Sequence, residues 1–500
     1  MLGLPKFFSI MCLLFSLPVN AGLQHLSIVY TGYLPHLQAS SGSYAQLGTL
    51  LKQQRQHHST LFLFGGASLA PSLMSSLDRG AHIIDILNNL QPDAMAISGR
   101  ELIYSIDELS LRAHEAAFPM ILSNATDTLT GNHIDDIDAQ LIINKQGMNI
   151  GLLSVMDYHS IMGYKLSRLH IDDSMAHIAM QAKKLRQQGA DFVILMASHG
   201  VQYTQALLEQ SIINLALRSN PYLDAPSTAQ VYAKNNHEIY LKKHGSAAVI
   251  TLSWPTGTHT ITDFTTQFIP LSSLPEEPRI KQYTNIYTQR FSTLFDHKIT
   301  VLTTPIDLHY SVLRTTENAF GNLVADAMRI ESNADIAIIN SGAIRSNAYF
   351  PAGHTLTNGD VMAALPFRDK IKVLKVTGQQ IKDSLEVGVS VISPSSGSFP
   401  QVSGMHFHVD QSKPPGARIE DLTINNHPIE KNKEYTLATT TFLYHGGDGY
   451  RPLLSALEIG FSQQVTPLIS DIVISHLNGK PTLSVKRDLR IVLSNGEHHD

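Results

Sequence analysis

Three short apolar runs in the first two hundred residues each break off at small or polar residues. Leu61-Phe62-Leu63-Phe64 ends at Gly65-Gly66, Ala94-Met95-Ala96-Ile97 at Ser98-Gly99, and Phe192-Val193-Ile194-Leu195-Met196 at Ser198-His199-Gly200. Unbroken apolar runs of this length fit strands buried on both faces. Between and around them lie segments with helical spacing, over residues 44–56, 82–90, 106–117 and a fourth capped by Asp173 and running to Gly189. In the first of these Leu47, Leu50 and Leu51 share one side. Further strands are expected at residues 26–30, 120–122 and 151–155. Buried strands alternating with helices predict an α/β layered domain, whose chemistry sits on the loops after the strands.

The character changes near residue 272. Ser272-Ser273-Leu274-Pro275-Glu276-Glu277-Pro278 reads as a linker, followed by one polar helix to about Lys298. A second, smaller α/β unit begins at Thr303, with helices over 315–329, 359–364 and 379–389 and strands over 334–339 and 371–376. The 500 residues, 43% hydrophobic, suffice for two such cored domains. Net charge is −5, and no basic bias points to a nucleic-acid polymer or a membrane surface.

Residues 1–21 read as an export signal. Lys6 supplies the positive start, residues 7–17 the apolar core, and Val19-Asn20-Ala21 a small-residue cleavage site that leaves Gly22 first. The core falls short of the roughly 20 residues that a spanning helix needs. Cys12, the only cysteine, lies inside this segment. The mature chain is therefore expected to carry no disulfide and no thiolate ligand, which suits a periplasmic or secreted protein. The organisation expected is a signal over 1–21, a first domain over 22–271, linker and helix over 272–302, and a second domain over 303–500.

The second half holds four motifs. Thr316-Glu317-Asn318-Ala319-Phe320-Gly321-Asn322 opens a helix, Asn340-Ser341-Gly342-Ala343-Ile344-Arg345 follows a buried strand, Leu365-Pro366-Phe367 ends a helix, and Phe442-Leu443-Tyr444-His445-Gly446-Gly447-Asp448-Gly449-Tyr450 follows the last strong strand. Arg314 and Arg345 stand where a guanidinium can meet phosphate or ribose oxygens with paired hydrogen bonds. Phe367 and Phe442 sit in Pro- or Gly-flanked turns, and a planar base stacks on aromatic faces for about 1–3 kcal/mol per contact. Asp448 can accept from ribose hydroxyls. Taken singly, the phenylalanines can equally be core and the Gly-Gly-Asp-Gly run a turn. The four in one order along one chain favour a binding site.

That order resembles the C-terminal domain of the 5'-nucleotidase family, which includes UDP-sugar hydrolases and 2',3'-cyclic nucleotide phosphodiesterases. The resemblance runs over about residues 303 to 496, through Gly359-Asp360-Val361, Val376-Thr377-Gly378 and Gln401-Val402-Ser403-Gly404. It implies a base held between Phe367 and Phe442, a ribose on Asp448, and Arg314, Arg345 and Asn340 toward the sugar and phosphates. Two positions depart from the family pattern. Ser341 stands where Gly is usual, and Arg368 follows Pro-Phe where Gly is usual. Either change is expected to narrow the pocket.

The resemblance also implies a metallophosphatase domain upstream, a layered β-sandwich flanked by helices, with two divalent metals held by Asp, Asn and His on strand-end loops. Here the loops differ. The first reads Thr31-Gly32-Tyr33-Leu34-Pro35-His36, with Tyr33 at the Asp position and Pro35 at the His position. The second is Gly65-Gly66-Ala67, without the bridging carboxylate. The third is Ser98-Gly99-Arg100-Glu101, with Gly99 for the Asn ligand and Arg100 for the catalytic His. Ser198-His199-Gly200 keeps its His, and Leu217-Arg218-Ser219-Asn220 is the nearest match to the fifth loop. His199 alone remains of the expected metal ligands, so no cofactor is expected. Arg100 and Arg218 stand at former histidines. They are read either as fixed charges for a phosphate or, more simply, as solvated surface arginines.

The leading reading is an exported protein that binds a nucleotide, nucleoside or nucleotide-sugar, with phosphoester hydrolysis lost or weak. One alternative is a working hydrolase that recruits a Zn or Mn pair through His36, His199, Glu101 or Asp157. The other is a non-enzymatic interaction protein on the same scaffold.

Overall fold

The structure, a computed structural model, describes residues 22–161, 166, 168–220, 224–460 and 467–494. The export segment read over residues 1–21 lies outside the described residues. The apolar strands pair in parallel. Leu23–Thr31 lies beside Ser59–Phe64, then Ala94–Ala96, Met120–Ile121 and Ile137–Asp138. An antiparallel hairpin of Ser246–Pro255 and Asp263–Pro270 extends the other edge. Its outer strand alternates exposed and half-buried residues and so lacks the apolar run that marks the others. A second sheet is built around Phe192–Ala197, parallel to both Met148–Val155 and Leu215–Ser219.

Side chains alternate across each strand, and this period of two builds three cores. Leu26, Ile28, Tyr30, Leu61 and Leu63 meet Ile150, Leu152, Ile194 and Met196 between the sheets. Val29, Phe62 and Phe64 point the other way, against the helices Tyr44–His57 and Ala81–Leu90. Leu153, Val155, Val193 and Leu195 face the helix Met175–Gln187. The result is a β-sandwich with helices on both outer faces, as the strand pattern predicts. One cap differs from the reading. Ser174, not Asp173, caps Met175–Gln187, accepting from the His177 amide.

In the second half, Ile336–Asn340 lies between Pro400–Ser403 and Glu434–Thr440 in a five-stranded sheet that continues through Ile371–Thr377 to Leu457–Glu458. Ala337 and Ile339 face the helix Ala319–Ser332, while Ile336 and Ile338 face the helix Gly378–Gly388. Lys298–Leu302, read as part of the linker, pairs with Thr355–Thr357 and Thr482–Leu483, so the strand system of this half begins before Thr303. The preceding helix ends earlier than expected and spans Pro278–Phe295.

The helix expected over residues 315–329 also starts later. Tyr310–Leu313 forms its own short turn, and Asn318 then caps Ala319–Ser332 by accepting from the Phe320 and Gly321 amides at 2.9 and 3.2 Å. Gln401 explains the break. It is fully buried, accepts from the Asn318 amide at 2.9 Å and donates to the Leu313 and Thr316 carbonyls at 3.1 and 3.0 Å. One side chain thus pins the loop that carries Arg314. Gln401→Leu keeps the volume and strips all three bonds. It is expected to lower unfolding stability by about 2–4 kcal/mol, read by denaturant titration. A loss under about 1 kcal/mol would mean that other contacts hold the loop.

Candidate functional site

Strand register brings the motifs of the second half together. Ile336 and Ala337 pair in parallel with Leu437 and Ala438, Asn340 pairs with Pro400, and Ile371 pairs with Thr440. The end of one strand, the residues before another and the turn after a third therefore meet at one edge. Arg314, Asn340, Arg345, Phe367, Phe442 and Asp448 all line one cleft there, of about 740 Å³. Asn340 is buried and donates to Asp448 Oδ2 at 2.7 Å, while its own Oδ1 has no partner. Arg314 donates to the Pro394 carbonyl at 2.9 Å and lies over the Tyr310 ring at 3.9 Å. The Arg345 guanidinium lies 5.3 Å from the centre of the Phe367 ring.

The Gly-Gly-Asp-Gly turn aims Asp448 by its backbone. Asp448 has φ 50°, between Gly446 at 80° and Gly449 at 86°. Asp enters this left-handed region more readily than most side chains. Its carboxylate opens onto the cleft but is crowded by protein. That crowding raises its pKa, opposed by the Asn340 hydrogen bond and by the charges of Arg345 and Arg314. Gly342 cannot carry a side chain here, since a Cβ would sit 2.9 Å from Asn340 Nδ2 and 3.1 Å from Asp448 Oδ2.

Of the two departures, only Arg368 stands in the cleft wall. Ser341 is fully buried, donates its hydroxyl to the Gly397 carbonyl at 3.3 Å and is not among the lining residues. Arg368 donates to the Ser76 carbonyl at 3.1 Å, a bond between the two halves of the chain. Sequence reasoning missed much of the lining, among it Arg79, Ile103 and Tyr104 from the first half, and Asp369 and Lys370 beside Arg368. Only Arg368 had left a signal, as a departure from Pro-Phe-Gly.

The strand-end loops of the first half form a separate, much smaller cavity of about 20 Å³, room for about one water. Ala67, Gly99, Arg100, Ser198 and His199 line it, and it shares no lining residue with the cleft. Tyr33 and Ala67 are both left-handed, at φ 57° and 60°. The Arg100 guanidinium lies 4.9 Å from the centre of the Tyr33 ring, whose other close neighbour is the His244 ring at 4.5 Å. Glu101 is buried and takes the Ala67, Ser68, Leu69 and Ser98 amides, at 3.0, 2.8, 3.2 and 3.0 Å, and the Ser98 hydroxyl at 2.6 Å. Its oxygens are thus engaged by the loops themselves.

Asp157 accepts from the Ser198 hydroxyl at 2.7 Å and presses on Gly200, where a Cβ would lie 2.3 Å from its Cγ. Burial lowers the His199 pKa, opposed by Asp157 and reinforced by Arg218 and Arg100. Arg218 is neither a solvated surface residue nor part of this cavity. It donates to Glu238 at 3.0 Å and to the His199 and Val201 carbonyls at 2.7 and 3.0 Å, over the Tyr240 ring. His36 keeps an exposed surface, yet crowding of its ring and the charges of Arg100 and His82 lower its pKa. Among the described residues, no group of three or more His, Cys, Asp or Glu side chains is placed to hold a metal ion.

Asp369 supplies a pH signature for the cleft. Burial pushes its carboxyl up to about 6, although the Phe442 amide, Thr440 and Thr441 bond to it and pull the other way. A raised folded pKa stabilises the fold fully below 3.8, and that contribution is lost as pH rises through about 6. Asp369→Asn is therefore expected to remove a decline in unfolding stability across that window. Parallel pH profiles for both proteins would count against the assignment.

With this geometry in view, the chain can be set beside known proteins. A family model described as 5'-nucleotidase, C-terminal domain, matches residues 298–455. The trifunctional nucleotide phosphoesterase protein YfkN of Bacillus subtilis is 31% identical over 192 residues, which cover 36% of this chain and only 13% of that longer one. Human 5'-nucleotidase is 23% identical over 462 residues, covering 83% of this chain and 80% of its own. The crystal structure of a 5'-nucleotidase precursor from Thermus thermophilus superposes with a TM-score of 0.72 at 18% identity, covering 95% of this chain and 100% of that one. A 5'-nucleotidase from Candida albicans superposes at 0.59 and 12% identity, over 92% and 99% of the two chains. These structures share the two-domain fold, a metallophosphatase-like sandwich followed by a smaller α/β domain. Residues 298–455 thus carry a 5'-nucleotidase C-terminal domain, and over most of its length the chain is similar in sequence and in fold to 5'-nucleotidases.

Proposed function

We propose that this protein is exported and binds a nucleotide, nucleoside or nucleotide-sugar through its C-terminal domain, with phosphoester hydrolysis lost. The observation that carries this reading is the contrast between the two sites. Six residues chosen from sequence converge on one roomy cleft, with Asn340 Oδ1 buried and unpartnered. A buried acceptor without a donor is costly, and a bound hydroxyl relieves it.

The strand-end loops of the first half do not suit a divalent metal pair. Two metals need several anionic ligands to offset their charge. Tyr33, Ala67 and Gly99 bring none, Arg100 brings a fixed positive charge, and the Glu101 oxygens already face N–H donors. No hydrolytic step through such a pair belongs to this reading. The relatives named as 5'-nucleotidases support a nucleotide as the class of ligand.

Isothermal titration with AMP, adenosine and a UDP-sugar, with and without Mn²⁺ or Zn²⁺, tests it. Metal-independent binding is expected, weakened about tenfold or more by Phe442→Ala, with no phosphate released. Absence of binding to all three, or phosphate release on adding metal, would overturn the reading. Export rests on the residue pattern of 1–21, and no helix among the described residues is long and apolar enough to cross a membrane. Intact mass of the chain recovered from the secreted fraction is expected to place Gly22 first. A full-length mass would refute cleavage there.

A further inference from the structure

We propose that the N-terminal half completes the nucleotide cleft, with Tyr104 and Arg79 joining Arg345 and Arg368 to bind the phosphate of a nucleotide whose nucleoside is held by Phe367, Phe442 and Asp448. This rests on the binding reading above, narrows its ligands to those that carry a phosphate, and adds two recognition residues outside the C-terminal domain.

Three observations carry it. The first is charge. Arg79, Arg314, Arg345, Arg368 and Lys370 line the cleft against only Asp369 and Asp448, on a chain whose net charge is −5. An excess of cations focused in a cleft of an acidic protein is a site for an anion. The second is an unmet hydrogen bond. The Tyr104 hydroxyl is buried and has no partner. Burial and the nearby carboxylates of Asp78 and Glu108 raise its pKa, against the pull of Arg368 and Arg79, so at neutral pH it stays a hydroxyl that can donate. A phosphate oxygen is the acceptor that fits a donor flanked by guanidinium groups.

The third is position. Arg368 is tied to the Ser76 carbonyl, which fixes the helix Ser75–Asp78, and Arg79 just after it, against the C-terminal half. Arg79 pairs with Glu108 through one nitrogen, and about half of its side chain is exposed, so donors remain on its other edge. The loop cavity of the first half, by contrast, has room for about one water and shares no wall with the cleft. The phosphate therefore stays in the cleft between the halves and does not reach the strand-end loops.

Titration of the full mature chain with adenosine, AMP, uridine, UMP and inorganic phosphate tests this. A monophosphate is expected to bind about tenfold or more tighter than its own nucleoside. Tyr104→Phe is expected to cut that advantage about fivefold, and Arg79→Gln about tenfold, with nucleoside affinity unchanged in both. Equal affinity for nucleoside and monophosphate would overturn the proposal, as would equal losses for both in the two variants. Tighter binding of inorganic phosphate than of any nucleotide would also overturn it, assigning the cations to free phosphate. In each of these cases nucleoside binding that depends on Phe442 leaves the function above standing. Binding of none of the nucleosides or nucleotides overturns both.

Discussion

One buried carboxylate fixes the joint between the two sites. Glu101 gathers four backbone amides and a hydroxyl from the loops that follow Ser59–Phe64 and Ala94–Ala96. Its charge is balanced by N–H dipoles, which meet a carboxylate from several directions and leave no lone pair for a metal. The turn it caps, Gly99–Leu102, separates the cavity from the cleft. Arg100 lies on the cavity side, and Ile103 and Tyr104 lie on the cleft side. The loops of the first domain are thus held in place by hydrogen bonds to one side chain.

The second domain achieves its site differently. No single residue gathers the cleft. Strand register does, because two strands end and a third begins at one end of the sheet, and the loop of each lies there. The polar groups at that edge satisfy one another only in part. Asn340 holds Asp448, and Arg314 is held by a carbonyl and a ring, yet Asn340 Oδ1 and Arg314 Nε stay buried without a partner. A binding site differs from a core in this way. Partly satisfied polar groups at the mouth of a cleft are costly without a ligand and favourable with one.

Much of the site was legible in the sequence, for a local reason. Asn340, Arg345, Phe367, Phe442 and Asp448 each lie within a few residues of a strand or helix end, and the apolar runs mark those ends. The left-handed turn at Asp448 was written as Gly-Gly-Asp-Gly. The helix starting at Ala319 was misjudged because its true limit is imposed by Gln401, more than eighty positions away. Arg218 was misjudged for the same kind of reason. Its environment is set by Glu238 on the neighbouring strand and by the carbonyls of His199 and Val201.

The sequence by itself determined the layered α/β architecture and the residues offered at each strand end, such as the uncharged side chains of Tyr33 and Ala67. These depend on periodicity and on residue chemistry, which are properties of a short stretch of chain. Only the tertiary structure decided that Glu101 faces amides, that Arg218 faces Glu238, and that Arg79 and Tyr104 stand in the cleft of the other domain. Such partnerships join residues far apart in the chain, through register and domain docking. They follow from where packing places each backbone, and no local pattern records that.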